Sequence, residues 1–188
     1  MRRIRRAGVA LLAAAASATA AAAQTAEETA RDAYFKAVAE NFKLPASEVS
    51  ILSEWRLPPE EIPVVLFLAG RAGVSPEAVV ALRTSGRGWA ELARRYRLDA
   101  TQFHVPISES APAGALDGAY RSFRLLPPDR WREITLDDAD IVGLVNLRLL
   151  SETLHVAPEQ ILSAARGGSW VDLYTRLMGE DPEPERRP

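Results

Sequence analysis

Two stretches of this chain follow one template, and a chain written that way folds as copies of one small unit packed on each other. Val74-Ser75-Pro76-Glu77-Ala78-Val79-Val80 matches Val156-Ala157-Pro158-Glu159-Gln160-Ile161-Leu162. After a one-residue slip, Gly86-Arg87-Gly88-Trp89-Ala90-Glu91-Leu92 matches Gly167-Gly168-Ser169-Trp170-Val171-Asp172-Leu173. An apolar stretch precedes each copy, Ile62 to Ala69 in one and Ile141 to Leu150 in the other. Proline followed by an acid is common at helix starts. The spacing Gly-x-x-Trp-x-acid-Leu is much rarer, and it carries the match.

The unit reads as helical throughout. Ser75 is placed to cap a helix whose first turn holds Pro76, where a missing N–H costs nothing. Gly86 and Gly167 suit the left-handed position just past a helix end. Trp89, Leu92, Ala93 and Tyr96 then fall at i, i+3, i+4 and i+7, as do Trp170, Leu173, Tyr174 and Leu177, which is one apolar helix face in each copy. The two tryptophans are therefore expected to be equivalent buried anchors. A fainter third copy lies thirty residues upstream, with Leu44, Val49 and Leu52 matching Val74, Val79 and Leu82, but with Pro59 in the tryptophan position. Thr25-Ala26-Glu27-Glu28 has capping-box spacing for a helix running to about Phe42.

Between the two clear copies, Pro106, Pro112, Pro127 and Pro128, with Gly114 and Gly118, interrupt the pattern. We expect a long irregular loop over about 105–134 that lays Tyr120, Phe123 and Trp131 on the domain and is dispensable for folding. The fold class expected is all-α: one compact domain over 24–179, built from repeat copies at about 62–98 and 141–179. The Pro- and charge-rich end, 180–188, is expected to be a disordered tail.

The start of the chain reads as a secretory signal. Arg2, Arg3, Arg5 and Arg6 precede an apolar core from Val9 to Ala16, and Ala21-Ala22-Ala23 offers the small residues of a cleavage site before Gln24. The apolar run is short of the roughly 20 residues a bilayer span needs. Removing 1–23 takes four of the 23 basic residues and no acid, leaving nineteen against 25 acids, a net charge near minus six. That balance argues against nucleic acid as a partner, since phosphate neutralisation dominates such binding. Arg83, Arg87, Arg94, Arg95 and Arg97 do give Val79 to Leu98 the look of a DNA-binding helix-turn-helix. Pro106 arrives too soon after Leu98 for a full recognition helix. With no cysteine there is neither a disulfide framework nor a thiolate metal site.

No recognisable chemistry emerges from the remaining motifs. His104 and His155 lack companions at metal-ligand spacing. Asp137, Asp138 and Asp140 stand before an apolar helix, where acids offset exposed N–H groups, and Thr135 with Asp138 has capping-box spacing. Glu60 and Glu61 follow Pro58-Pro59 and read the same way. The glycine pairs are turns, because no phosphate-loop or dinucleotide spacing follows them. Asn146, alone among apolar neighbours, is expected to hydrogen-bond its helix to the loop. No catalytic residue, metal ligand or cofactor is expected.

The two Gly-x-x-Trp copies, the segment Asp140-Ile141-Val142-Gly143-Leu144-Val145-Asn146-Leu147 and the exported start together resemble an uncharacterised group of exported bacterial proteins with helical Gly-x-x-Trp repeats. That resemblance implies a helical fold and supplies no activity. The functional expectation is a non-catalytic periplasmic protein, or one released outside the cell. It would bind an envelope protein or an anionic envelope component through Arg83, Arg87, Arg94, Tyr120, Arg121 and Phe123, with no membrane span once the signal is removed. The alternative is an envelope enzyme acting on cell-wall material.

Overall fold

The computed structural model describes residues 7–165 and 167–179. The arginine cluster at the start and the tail at 180–188 lie outside the described residues. Within them the chain is all-helical, with no strand. The helices are α1 (Ala7–Asn41), α2 (Val49–Glu54), α3 (Ile62–Ala72), α4 (Pro76–Thr84), α5 (Trp89–Arg95), α6 (Ala100–Phe103), α7 (Asp117–Leu125), α8 (Asp138–Leu154), α9 (Pro158–Ala164) and α10 (Trp170–Gly179). No helix among the described residues is long and apolar enough to cross a membrane.

The expected helix start at Thr25 is not where the helix begins: α1 runs unbroken from Ala7 through Gln24 to Asn41. Alanine has the highest helix propensity, and the Ala-rich stretch before Thr25 continues the helix instead of stopping it. Gln24 to Thr29 are exposed; contact with the core begins at the partly buried Ala30 and is complete at Tyr34.

The core is organised on α8, which packs against α1, α3, α5, α9 and α10. Ile141, Leu144, Val145, Leu147, Leu149 and Leu150 are all buried. Apolar residues around so much of a helix mean burial on several sides, as a central helix requires. The second apolar element, α3, buries every residue from Ile62 to Ala69 and lies against α8 and α4.

Each template stretch has the expected local order. Apolar α3 ends at left-handed Gly73, Ser75 caps α4 by accepting from the Ala78 N–H, Gly86 is left-handed, and Trp89 opens α5. Apolar α8 ends at left-handed His155, Pro158 opens α9, Gly167 has φ 82°, and Trp170 opens α10. In the fainter upstream stretch Lys43 and Arg56 are left-handed too, thirty residues before Gly73 and Gly86. The surroundings differ, however: α5 packs on α4 and α8, whereas α10 packs chiefly on α1 and α8.

The midchain segment is more ordered than expected. It holds α7, flanked by short 3₁₀ turns at Gly114–Leu116 and Pro128–Glu133. Leu116, Ala119, Tyr120 and Phe123 are buried at i, i+3, i+4 and i+7, a helical face hidden in sequence by the prolines and small residues around it. Even the irregular stretch before it is tied down. The Ser108 N–H donates to Glu159 Oε1 at 2.8 Å, and Arg124 Nη2 to the Ala111 carbonyl at 2.7 Å. The segment thus contributes buried residues to the core, and its removal is expected to destabilise the fold.

Gly143 explains how this segment docks on α8. A Cβ at Gly143 would lie 2.6 Å from Leu116 Cδ2. Glycine inside a helix costs about 1 kcal/mol relative to alanine, yet here it admits the Leu116 side chain. Gly143→Ala is therefore expected to lower stability despite its gain in propensity. In a Leu116→Ala background the same change should raise it, and urea unfolding of the four proteins measures the sign reversal.

Candidate functional site

Of the residues expected to bind a partner, Arg83 is the most engaged. Its Nε and Nη2 donate to Glu61 at 2.9 and 2.5 Å, Nη1 donates to the Arg87 carbonyl at 3.0 Å, and Asp138 lies 3.7 Å away. The guanidinium carbon stands 4.9 Å from the centre of the Trp89 ring. The Glu61 bond, the larger influence, holds the Arg83 pKa up. This is a structural clamp joining α3, α4 and α5, and Arg83 is not a free cation.

Asp138 completes the clamp from α8. The N-cap of α5 is Gly88, which has no side chain to offer. Asp138 Oδ1 instead accepts from the Ala90 N–H at 2.9 Å, supplying the missing cap from a distant part of the chain. A Cβ on Gly88 would lie 3.0 Å from both Asp138 oxygens, so the glycine makes room for the carboxylate. The expected Thr135–Asp138 box does not form. Asp137 caps α8 in a reciprocal box with Asp140, which leaves Asp138 for α5. In the other copy Ser169 caps its own helix, accepting from the Asp172 N–H at 3.1 Å.

Tyr120 and Phe123 are 1% and 4% exposed, so neither can meet a partner, contrary to expectation. Tyr120 donates to the Val105 carbonyl at 2.7 Å, and burial pushes its phenol well up. Trp131 Nε1 donates to the Phe123 and Leu126 carbonyls at 3.0 and 2.9 Å, closing the end of α7. Arg121 on the same helix is exposed.

His104 belongs to this aromatic cluster, its ring 4.2 Å from the Trp131 centroid and 4.7 Å from that of Phe123. Burial, and secondarily the charge of Arg148, lower its pKa below the ordinary 6.5. The unfolded chain therefore takes up this proton at higher pH than the folded one. The stability this residue contributes is complete above about pH 6.5 and is lost as pH falls through the folded-state pKa. Urea unfolding of the wild type and His104→Gln between pH 7 and pH 5 is expected to show the steeper decline in the wild type. Parallel curves would assign the decline to other groups.

The other arginines expected to meet a partner here, Arg87 just before α5 and Arg94 within it, are exposed. Arg87 pairs with Glu91 one turn on, at the surface. Arg94 is exposed and, with Arg132, borders a groove of about 190 Å³ between α5, α6 and the Pro128–Glu133 turn. Ala93, Phe103, Ile134 and Ile141 line it, with the acids Asp99 and Glu133 also on its wall. Neither Arg94 nor Arg132 takes part in an ion pair among the described residues, although Arg132 donates from Nε and Nη2 to the Asp129 carbonyl at 3.3 and 3.2 Å. Arg132 was missed in sequence because only the turn at Pro128 brings it beside α5.

Asn146 is fully buried with its amide fully engaged. Its Oδ1 accepts from the Tyr34 hydroxyl, and its Nδ2 donates to the Glu60 and Val142 carbonyls at 2.9 and 2.8 Å. It ties α8 to α1 and to the Pro59–Glu61 turn, not to the midchain segment.

The carboxyls with shifted pKa values each answer to a local partner. Glu133 is lowered by Arg130, Glu159 by the Ser108 N–H, and Asp140 is raised by burial within its capping box. No group of three or more acids or histidines placed to hold a metal ion occurs among the described residues. No protein-family model matches the sequence, and no curated protein or solved structure is significantly similar to it.

Proposed function

We propose that this is an exported, non-catalytic binding protein that holds an acidic segment of an envelope protein against the Arg94–Arg132 groove. The observation that carries the reading is two exposed guanidinium groups outside any ion pair among the described residues, at the edge of a groove with an apolar floor whose acids are Asp99 and Glu133, the latter paired with Arg130. Arginine beside an apolar recess suits recognition, since it anchors a carboxylate bidentately while the floor takes a neighbouring apolar side chain. The signal-like start supports export, and so does the exposed stretch from Gln24 to Thr29 that precedes the first core contact.

The test uses mature protein from the native envelope, its N-terminus read by mass spectrometry and expected near Gln24. Wild type and the Arg94→Glu/Arg132→Glu variant are compared in capture from envelope extracts. Both positions are exposed, so stability should stay within about 0.5 kcal/mol. A protein partner lost from the variant, and from the wild type at high salt, supports the reading. Identical capture by both, or an intact Met1 in the cytosol, would end it. Capture of an anionic glycopolymer would keep the site and change the partner.

A further inference from the structure

The apolar run of α8 contains one charge, Arg148, and among the described residues no carboxylate lies within ion-pair distance of it. Its Nη2 donates to the Gln102 and His104 carbonyls at 3.0 and 2.8 Å, closing the end of α6. Its Nη1 is buried and meets no acceptor. A second arginine stands close by. The guanidinium carbons of Arg148 and Arg71 lie 5.0 and 5.2 Å from the centre of the same Phe67 ring. Both side chains border a groove of about 300 Å³ between α1, α3 and α8, walled by Phe42, Leu66 and Leu149. Glu152 also lines it, where its Oε2 accepts from Asn41 Nδ2 at 2.9 Å.

Half-burying a guanidinium without a counter-ion is costly, and a second positive charge beside it adds to the cost. Capping α6 accounts for Nη2 alone and does not explain why Arg71 stands over the same ring. Burial lowers the Arg148 pKa; the nearby Glu152 carboxylate offsets this in part, and Arg71, a smaller influence, adds to it. An anion seated between the two guanidinium groups, clear of the Glu152 carboxylate, would offset both positive charges. The planar guanidinium fits a carboxylate, and the apolar walls fit a short hydrocarbon portion next to it. We propose that the α1–α3–α8 groove binds an organic carboxylate with a small apolar group attached, as a peptide C-terminus or a short fatty acid would present it.

This site is separate from the Arg94–Arg132 groove, so the two stand or fall independently. The experiment titrates the protein with hexanoate and N-acetyl-leucine, and with their neutral counterparts hexanol and N-acetyl-leucinamide, followed by calorimetry and by NMR of the Phe67 ring. At least one acid is expected to bind about tenfold or more tightly than its neutral counterpart. Tighter hexanoate would identify a fatty acid, and tighter N-acetyl-leucine a peptide end. Arg148→Gln should abolish the preference for the acid. Should that variant fail to fold, the exposed Arg71→Gln decides, with an expected loss of about fivefold or more for the acid only. Equal binding of acids and neutral compounds, no binding of any, or acid binding unchanged in Arg71→Gln would overturn the proposal.

Discussion

Replacing Trp89 by alanine is expected to remove about 3–5 kcal/mol of stability, while Trp170→Ala removes distinctly less. The Trp89 ring is 0% exposed, enclosed between α5, α8 and the Arg83 guanidinium. Burying such a ring removes roughly 150–250 Å² from water. At about 25 cal/mol per Å² that is some 4–6 kcal/mol before entropy. Its Nε1 makes no hydrogen bond, so the contribution is one of packing. Trp89→Phe should therefore cost far less than the alanine change. Trp170 is only partly buried, so its truncation gives up less apolar contact, although both rings border the same groove of about 380 Å³ beside Leu116 and Val142. Urea unfolding of the three variants gives the order. Equal losses for Trp89→Ala and Trp170→Ala would restore the equivalence that the sequence template suggests.

Asn146→Leu should cost about 2–4 kcal/mol, although it makes the core more apolar. The substitution removes the acceptor of the buried Tyr34 hydroxyl and a donor to the Glu60 carbonyl. Each polar group left unsatisfied costs about 1–3 kcal/mol. Tyr34→Phe alone should also destabilise, since it orphans the amide oxygen. The double variant Tyr34→Phe/Asn146→Leu should be less destabilised than the sum of the two, and a double-mutant cycle by urea unfolding measures that coupling. Strict additivity would mean that the hydroxyl and the amide do not depend on each other.

The helices of the two template stretches were legible because their signals are local: a capping serine, a proline in the first turn, a glycine past the end, and an apolar face led by tryptophan. The α7 face was equally present as Leu116, Ala119, Tyr120 and Phe123, but two of its four residues are small or partly polar, and prolines surround it. That is why residues later found in the core were read as a binding surface. Asn146 was singled out by its apolar neighbours, and its partners were misplaced because hydrogen bonds to Tyr34 and Glu60 cross distances that spacing does not encode. Arg148 interrupts the same apolar run and could have been singled out by the same reasoning. What separates the engaged Arg83 from Arg94 is tertiary: Glu61 and Asp138 reach the first, and among the described residues no carboxylate pairs with the second.

The cap that Asp138 lends to α5 bears on the order in which the molecule assembles. Ala90 and its acceptor are 48 residues apart, and Tyr34 and Asn146 are 112 apart. A ribosome delivers the tryptophan helix long before the residue that finishes its first turn. α1, the Pro59–Glu61 turn and α5 each wait on one late segment, so none of them attains its final polar contacts until α8 has been made. The front of this protein is thus completed from behind, and a chain stopped short of α8 leaves three unfinished ends at once.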